Sequence, residues 1–207
     1  MELYIIRHGE TDWNIEKRLQ GRSDTVLNAY GIELAKITAE ALKDIKFDRI
    51  YSSPLKRAYK TAELIRNDRD LPIITDERLI EISFGEYEGI PVSERPPEFQ
   101  NFFDDPDNYV PAKGGETYKE LVARAADFIE EIVVPASKEI DRMLIVAHGA
   151  LNKALMVNLN HQEIKDIWTG IFQRNCCVNI YEINGYDFKL IQNGKIYYEE
   201  LEGRRYK

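Results

Sequence analysis

Two runs of uninterrupted apolar residues, Leu3-Tyr4-Ile5-Ile6 and Met143-Leu144-Ile145-Val146-Ala147, each lead into a His-Gly pair, Arg7-His8-Gly9 and His148-Gly149. Runs this short and this apolar suit strands buried on both faces, the kind that parallel sheets contain. Helical and strand patterns alternate between and around them. Ile32, Leu34, Ala35, Ile37, Ala39 and Leu42 suit a helix over 31–42, and Phe47 to Tyr51 suits a strand. Ser52-Ser53-Pro54 offers capping hydroxyls and a proline to a helix continued by Ala58, Ala62 and Ile65. Pro72 to Thr75 reads as a third strand, and Thr117 to about Glu139 as the longest helix, with Leu121, Ala125, Phe128 and Ile132 on one face. Two late strands, 178–183 and 188–191, flank the turn residues Asn184-Gly185-Tyr186-Asp187. The pattern predicts an α/β fold, a three-layer αβα sandwich with a mostly parallel central sheet, helices on both faces and antiparallel strands near the C-terminus. Sites in such folds lie beyond the carboxyl ends of the strands, where both His-Gly pairs fall.

With 207 residues the chain suits one domain, 1–207. Its irregular stretch, 90–116, holds Pro91, Pro96, Pro97, Pro106 and Pro111 with Phe99, Phe102, Phe103 and Tyr109, and is expected to be a lid or substrate loop. No apolar run approaches the roughly 20 residues that cross a bilayer, and the start lacks the regions of a signal peptide, so a cytoplasmic protein with no membrane partner is expected. A net charge of -8 argues against nucleic-acid binding. Any anionic ligand must therefore be held by a local group of cations. Cys176 and Cys177 are adjacent, too cramped for an ordinary disulfide, and no other Cys supplies metal-ligand spacing, so they read as core or strand residues.

A histidine alone is more often structural than catalytic. Two of the chain's three histidines at equivalent strand ends are a different matter, because parallel strands open on one edge and bring Arg7 with them. Arg57 adds to this: a cation in a helix's first turn opposes the macrodipole unless an anion is present, and a helix N-terminus with a guanidinium fork suits phosphate. Lys56 and Lys60 beside it read as a solvated face.

Arg7-His8-Gly9-Glu10-Thr11-Asp12-Trp13-Asn14 resembles the R-H-G-E-[ST]-x-W-N signature of the histidine phosphatase (phosphoglycerate mutase-like) superfamily. Further blocks follow in that family's order: Gln20-Gly21, Ser52 through Ala62 (S-S-x-x-x-R-A-x-x-T-A), Glu81 through Gly89 (E-x-x-x-G-x-x-x-G), Gly114-Gly115-Glu116-Thr117 and His148-Gly149. The resemblance implies that His8 accepts the phosphoryl group, that Arg7, Arg57 and His148 surround it, and that Asn14, Gln20 and Gly21 add donors. Thr11 and Gly149 fall in the same substrate-binding set. Glu81 is implied as the proton donor. Glu86 and Glu88 read as solvated surface carboxylates and His161 as a loop or helix-start residue. Tyr87 stands where many members have Trp, which bears on pocket shape.

Transfer of a phosphoryl group needs positioning, charge neutralisation, a nucleophile and a proton for the leaving oxygen, and this chain offers all of them without a metal or other cofactor. The expected activity is therefore metal-independent hydrolysis of small-molecule phosphate monoesters through a phosphohistidine, a phosphomonoesterase of the histidine acid phosphatase type that releases inorganic phosphate. The 90–116 segment carries only Arg95 and Lys113 as bases among many carboxylates and aromatics, which favours a phosphatase for esters with an apolar or small organic part over a cofactor-dependent phosphoglycerate mutase. A phospholigand-binding protein without turnover is the third alternative.

Overall fold

In the computed structural model, which describes residues 1–199, the strands are β1 (Glu2–Arg7), β2 (Arg49–Ser52), β3 (Ile73–Thr75), β4 (Arg142–Ala147), β5 (Val178–Asn184) and β6 (Asp187–Lys195). The rest of the expected domain, 200–207, lies outside the described residues. All six strands form one sheet in the order β3-β2-β4-β1-β5-β6. Strands β1 to β4 pair in parallel, and β5 and β6 add the expected antiparallel edge through a hairpin in which Asn184 faces Asp187.

The apolar runs are buried on both sides, and their side chains alternate between two cores. Leu3, Ile5, Met143, Ile145 and Ala147 face one, with Leu121, Phe128, Leu151 and Leu155, whereas Tyr4, Ile6, Leu144 and Val146 face the other, with Ala58, Ala62 and Ile65. This is the three-layer α/β arrangement that the alternating pattern predicts.

The helices are α1 (Asp12–Ile15), α2 (Ala29–Ala41), α3 (Lys56–Arg66), α4 (Asn101–Asp104), α5 (Tyr118–Phe128), α6 (Val134–Ala136) and α7 (Gly149–Leu159). Thr117 caps α5 in a reciprocal box with Glu120. The helix then runs into α6 through a π-helical turn at Ile129–Val133. Pro135 has no N–H to donate and its ring crowds the carbonyl of Glu131, and a widened turn relieves both. No helix among the described residues is long and apolar enough to cross a membrane.

One expectation is corrected. Ser52 and Ser53 do not cap α3: the N-cap is Leu55, without a side-chain bond, because the chain stays extended past Pro54. The 90–116 segment is built of short helical turns, and its aromatics turn inward. Phe99 and Phe102 are 1% and 2% exposed and stack on each other, and Phe102 also stacks on Tyr118 and packs against Trp168. Only Phe103 of the three phenylalanines keeps an exposed ring. Phe99 and Phe102 thus anchor the segment in the core.

Candidate active site

Strand register sets the site. Arg7 pairs with Ala147 and Ser52 with Val146, so β1, β4 and β2 end side by side and present His8, His148 and Ser53 at one level. The two imidazole centroids are 5.2 Å apart. His8 Nδ1 lies 2.7 Å from the carbonyl of Gly9 and donates to it, which leaves the lone pair on Nε2. Gly9 is required there, since a Cβ would stand 2.5 Å from the carbonyl oxygen of Gly31. Burial, followed by the charges of Arg57 and Arg7, holds His8 well below the usual histidine range, the Gly9 bond pulling weakly the other way. His148 is depressed likewise, by burial first and then by Arg57, His8, Arg124 and Arg7. Both are uncharged at neutral pH.

The cations come from two elements, the end of β1 and the start of α3. Arg7 donates through Nη1 to the carbonyl of Gln173, and its neighbour His8 has its backbone carbonyl held by Asn175 Nδ2 at 3.0 Å. Arg57, the second residue of α3, is fully buried; Nη2 and Nη1 each donate at 2.7 Å to the carbonyls of Gly21 and Ser23. Burial brings Arg57 down to about 10, against the pull of Glu81 and with the push of Arg7, so it stays charged. The anion that its helix end calls for is partly supplied within the chain, because Asp24 accepts the Lys56 N–H at 2.8 Å and pairs with its Nζ. Arg7 Nε, Arg57 Nε and His148 Nδ1 are buried without a protein partner. Buried polar atoms of this kind are rare and need an explanation.

Glu81 sits at the N-terminus of α7. Its Oε1 accepts from the N–H groups of Ile82 and Leu151, both at 3.0 Å, and its Oε2 from that of Ala150 at 3.2 Å. A Cβ built on Gly149 would stand 3.7 Å from both Arg7 Nε and Glu81 Oε2, so the carboxylate and the guanidinium flank one bare stretch of backbone. Arg124 and Glu116 form a largely buried bidentate pair at 2.7 and 2.9 Å. Glu116 also takes the Ser83 N–H at 3.3 Å and so ties the Gly114-Gly115-Glu116-Thr117 block to the acid segment.

The structure brings Arg7, His8, Glu81, His148 and Gly149 together where β1 and β4 end, and the Arg57 charge lies near enough to depress both imidazoles. Thr11 is fully buried, and its hydroxyl lies 3.0 Å from Gln20 Oε1 and 3.2 Å from Asn14 Oδ1, so it orders those two side chains. Asn14 closes a capping box with Thr11, and both amides direct their oxygens at the protein. Gly21 belongs to the loop that holds Arg57. The residues that the sequence left unseen are Ser53, whose Oγ meets His148 Nε2 at 2.7 Å, Asp24, and the clamp formed by Gln173, Asn175 and Cys176, the last donating its N–H to the carbonyl of Arg7. The adjacent buried cysteines mark that clamp only as core. Glu88 is not a solvated carboxylate as expected; it bonds three donors of the chain. Glu86 is exposed, as expected.

A profile of the histidine phosphatase superfamily, branch 1, matches residues 3–194. The chain is 39% identical over 158 residues to the "Uncharacterized phosphatase PhoE" of Bacillus subtilis, covering 75% of this chain and 76% of that protein. It is 35% identical over 170 residues to the "Putative phosphoserine phosphatase 2" of Hydrogenobacter thermophilus, covering 80% and 82%. A bisphosphoglycerate-dependent phosphoglycerate mutase of Methylobacterium shares 31% identity over 187 residues, covering 82% and 88%. Among solved structures, YhfR of Bacillus stearothermophilus superposes with a TM-score of 0.86 at 32% identity, covering 94% of this chain and 97% of that one.

Proposed function

The chain belongs to the histidine phosphatase superfamily, and from that premise we propose that it is a phosphatase that hydrolyses small-molecule phosphate monoesters through a phosphohistidine on His8. One observation carries this reading: an uncharged buried imidazole, its Nδ1 occupied by Gly9, stands among three buried nitrogens that lack a protein partner. A transferring phosphoryl group has three equatorial oxygens, and Arg7 Nε, Arg57 Nε and His148 Nδ1 are the groups we assign to them. The amide nitrogens of Asn14 and Gln20 are the further donors.

His8 Nε2 attacks phosphorus in line as the ester oxygen leaves, and Glu81 gives that oxygen its proton. Water then opens the P–N bond, with Glu81 receiving the water's proton. The N–H groups of Ala150 and Leu151 at the start of α7 hold the Glu81 carboxylate in place for both proton transfers. The guanidinium charges do what a divalent cation does in other phosphoryl-transfer sites, so the reaction is proposed to need no metal. The whole 1–207 chain is taken as one catalytic domain in the cytoplasm.

Hydrolysis is favoured over mutase chemistry by the state of the 90–116 segment. Its Arg95 lies over the faces of Phe99 and Phe103, at 5.7 and 5.4 Å, and bonds Gln100, so it is engaged within the segment. A mutase must hold a second phosphate and needs free cations there. The test is p-nitrophenyl phosphate turnover in excess EDTA. Turnover is expected to persist with the chelator and to fall by on the order of 10³-fold or more in His8→Ala. Tight phosphate binding without turnover, or efficient 2-/3-phosphoglycerate interconversion with a bisphosphate primer, would overturn the proposal.

A further inference from the structure

Two motifs far apart in sequence, Gln20-Gly21 and Glu88-Gly89, are bonded into one unit. The chain around 17–23 runs beside 84–92: Leu19 N–H donates to Ile90 at 3.1 Å, Gly89 N–H to Leu19 at 2.8 Å and Val92 N–H to Lys17 at 2.7 Å. The Glu88 carboxylate fastens the far end of this contact. Its Oε1 accepts the N–H groups of Arg22 at 2.9 Å and Phe84 at 3.2 Å, and its Oε2 accepts the Ser23 hydroxyl at 2.7 Å. Gly21, with φ +51°, packs directly on it, since an added Cβ would lie 2.2 Å from Glu88 Oε1. The carbonyls of Gly21 and Ser23 meanwhile hold the two terminal nitrogens of Arg57.

The loop is therefore a single layer of backbone with a guanidinium on one side and a carboxylate on the other. We infer that Glu88 is a positioning residue: it fixes Gly21–Ser23 and through them aims Arg57 at the phosphoryl group, without itself touching substrate. Three donors converge on its two oxygens, and removing them frees the backbone that sets the Arg57 fork. A misplaced guanidinium weakens phosphate binding while leaving proton transfer at Glu81 intact. This inference rests on the phosphatase reading above.

The test measures steady-state hydrolysis of p-nitrophenyl phosphate and inhibition by inorganic phosphate in the full chain. Glu88→Ala is expected to raise KM and the phosphate inhibition constant together by on the order of 10-fold, with the pH limbs of kcat in place. Glu88→Gln keeps an oxygen for the two backbone N–H groups and should restore most of the loss, and Glu86→Ala should match wild type. Should Glu88→Ala fail to fold, Ser23→Ala, expected to raise both constants by roughly threefold, carries the test with Glu88→Gln. Both constants unchanged in the folded variants, or a displaced acid limb of kcat, would overturn the role. Loss of all turnover in wild type would instead sink the phosphatase reading, whereas normal wild-type turnover with an indifferent Glu88 sinks this inference alone.

Discussion

Ser53 Oγ accepts the N–H of Leu55 at 3.3 Å and lies 2.7 Å from His148 Nε2, and in the proposed mechanism its own proton goes to that nitrogen. On that proposal His148 keeps its proton on Nδ1, the buried nitrogen without a protein partner, as a neutral donor to the phosphoryl group. Ser53→Ala is expected to lower kcat/KM by about tenfold, the size of one lost bond at roughly 1.4 kcal/mol. The ¹⁵N shifts of His148 should lose their single-tautomer pattern; an unchanged imidazole spectrum contradicts the assignment. Proton linkage supplies a second prediction. His8 and His148 are both depressed below 6.5, so in acid the unfolded chain binds protons that the native chain refuses. Their contribution to stability is full above pH 6.5 and is lost as pH falls from there toward the depressed values. The melting temperature should drop with pH below about 6.5, and His148→Gln should flatten that slope; an unaltered slope would contradict the buried neutral state. At this scale Arg7-His8-Gly9 was legible because its members are consecutive and end an apolar run. Glu88, Gln173 and Asn175 were not, because the bonds that tie them to Ser23, Arg7 and His8 span 65 to 167 positions and leave no local pattern.

Strands β1 and β4 and the long helix could be read in advance because each combines a periodic or unbroken apolar pattern with clear punctuation, such as Thr117 before α5. The 90–116 segment has no period to say which way its rings face. Its aromatics can equally be read as a substrate surface or as core, and the structure makes Phe99 and Phe102 core. Phe102→Ala is accordingly expected to cost about 3–5 kcal/mol of stability, measured by urea unfolding, with KM for p-nitrophenyl phosphate moving only a few-fold. A large KM change at undiminished stability would mean that the ring faces substrate after all. The same packing braces the Glu81–Gly89 block through Phe84, which lies 5.2 Å from Phe102, centroid to centroid.

Across the whole molecule, a net charge of -8 surrounds a site whose cations, Arg7 and Arg57, are drawn from separate elements, the end of β1 and the start of α3, and buried. The alternating pattern implied that both His-Gly pairs open on one edge of a parallel sheet. It did not imply that β1 and β4 are neighbours, an order that depends on crossovers no local feature encodes. That adjacency turns two strand ends into one site, and the account stands on what His8 does there. The most direct test is to mix the protein with a ³²P-labelled monoester, quench in alkali within one turnover and map the label by peptide. An acid-labile, alkali-stable phosphate is expected on the peptide containing His8, decaying as free phosphate appears. Label on another residue, or release of phosphate with no labelled protein and inversion at phosphorus, would contradict it.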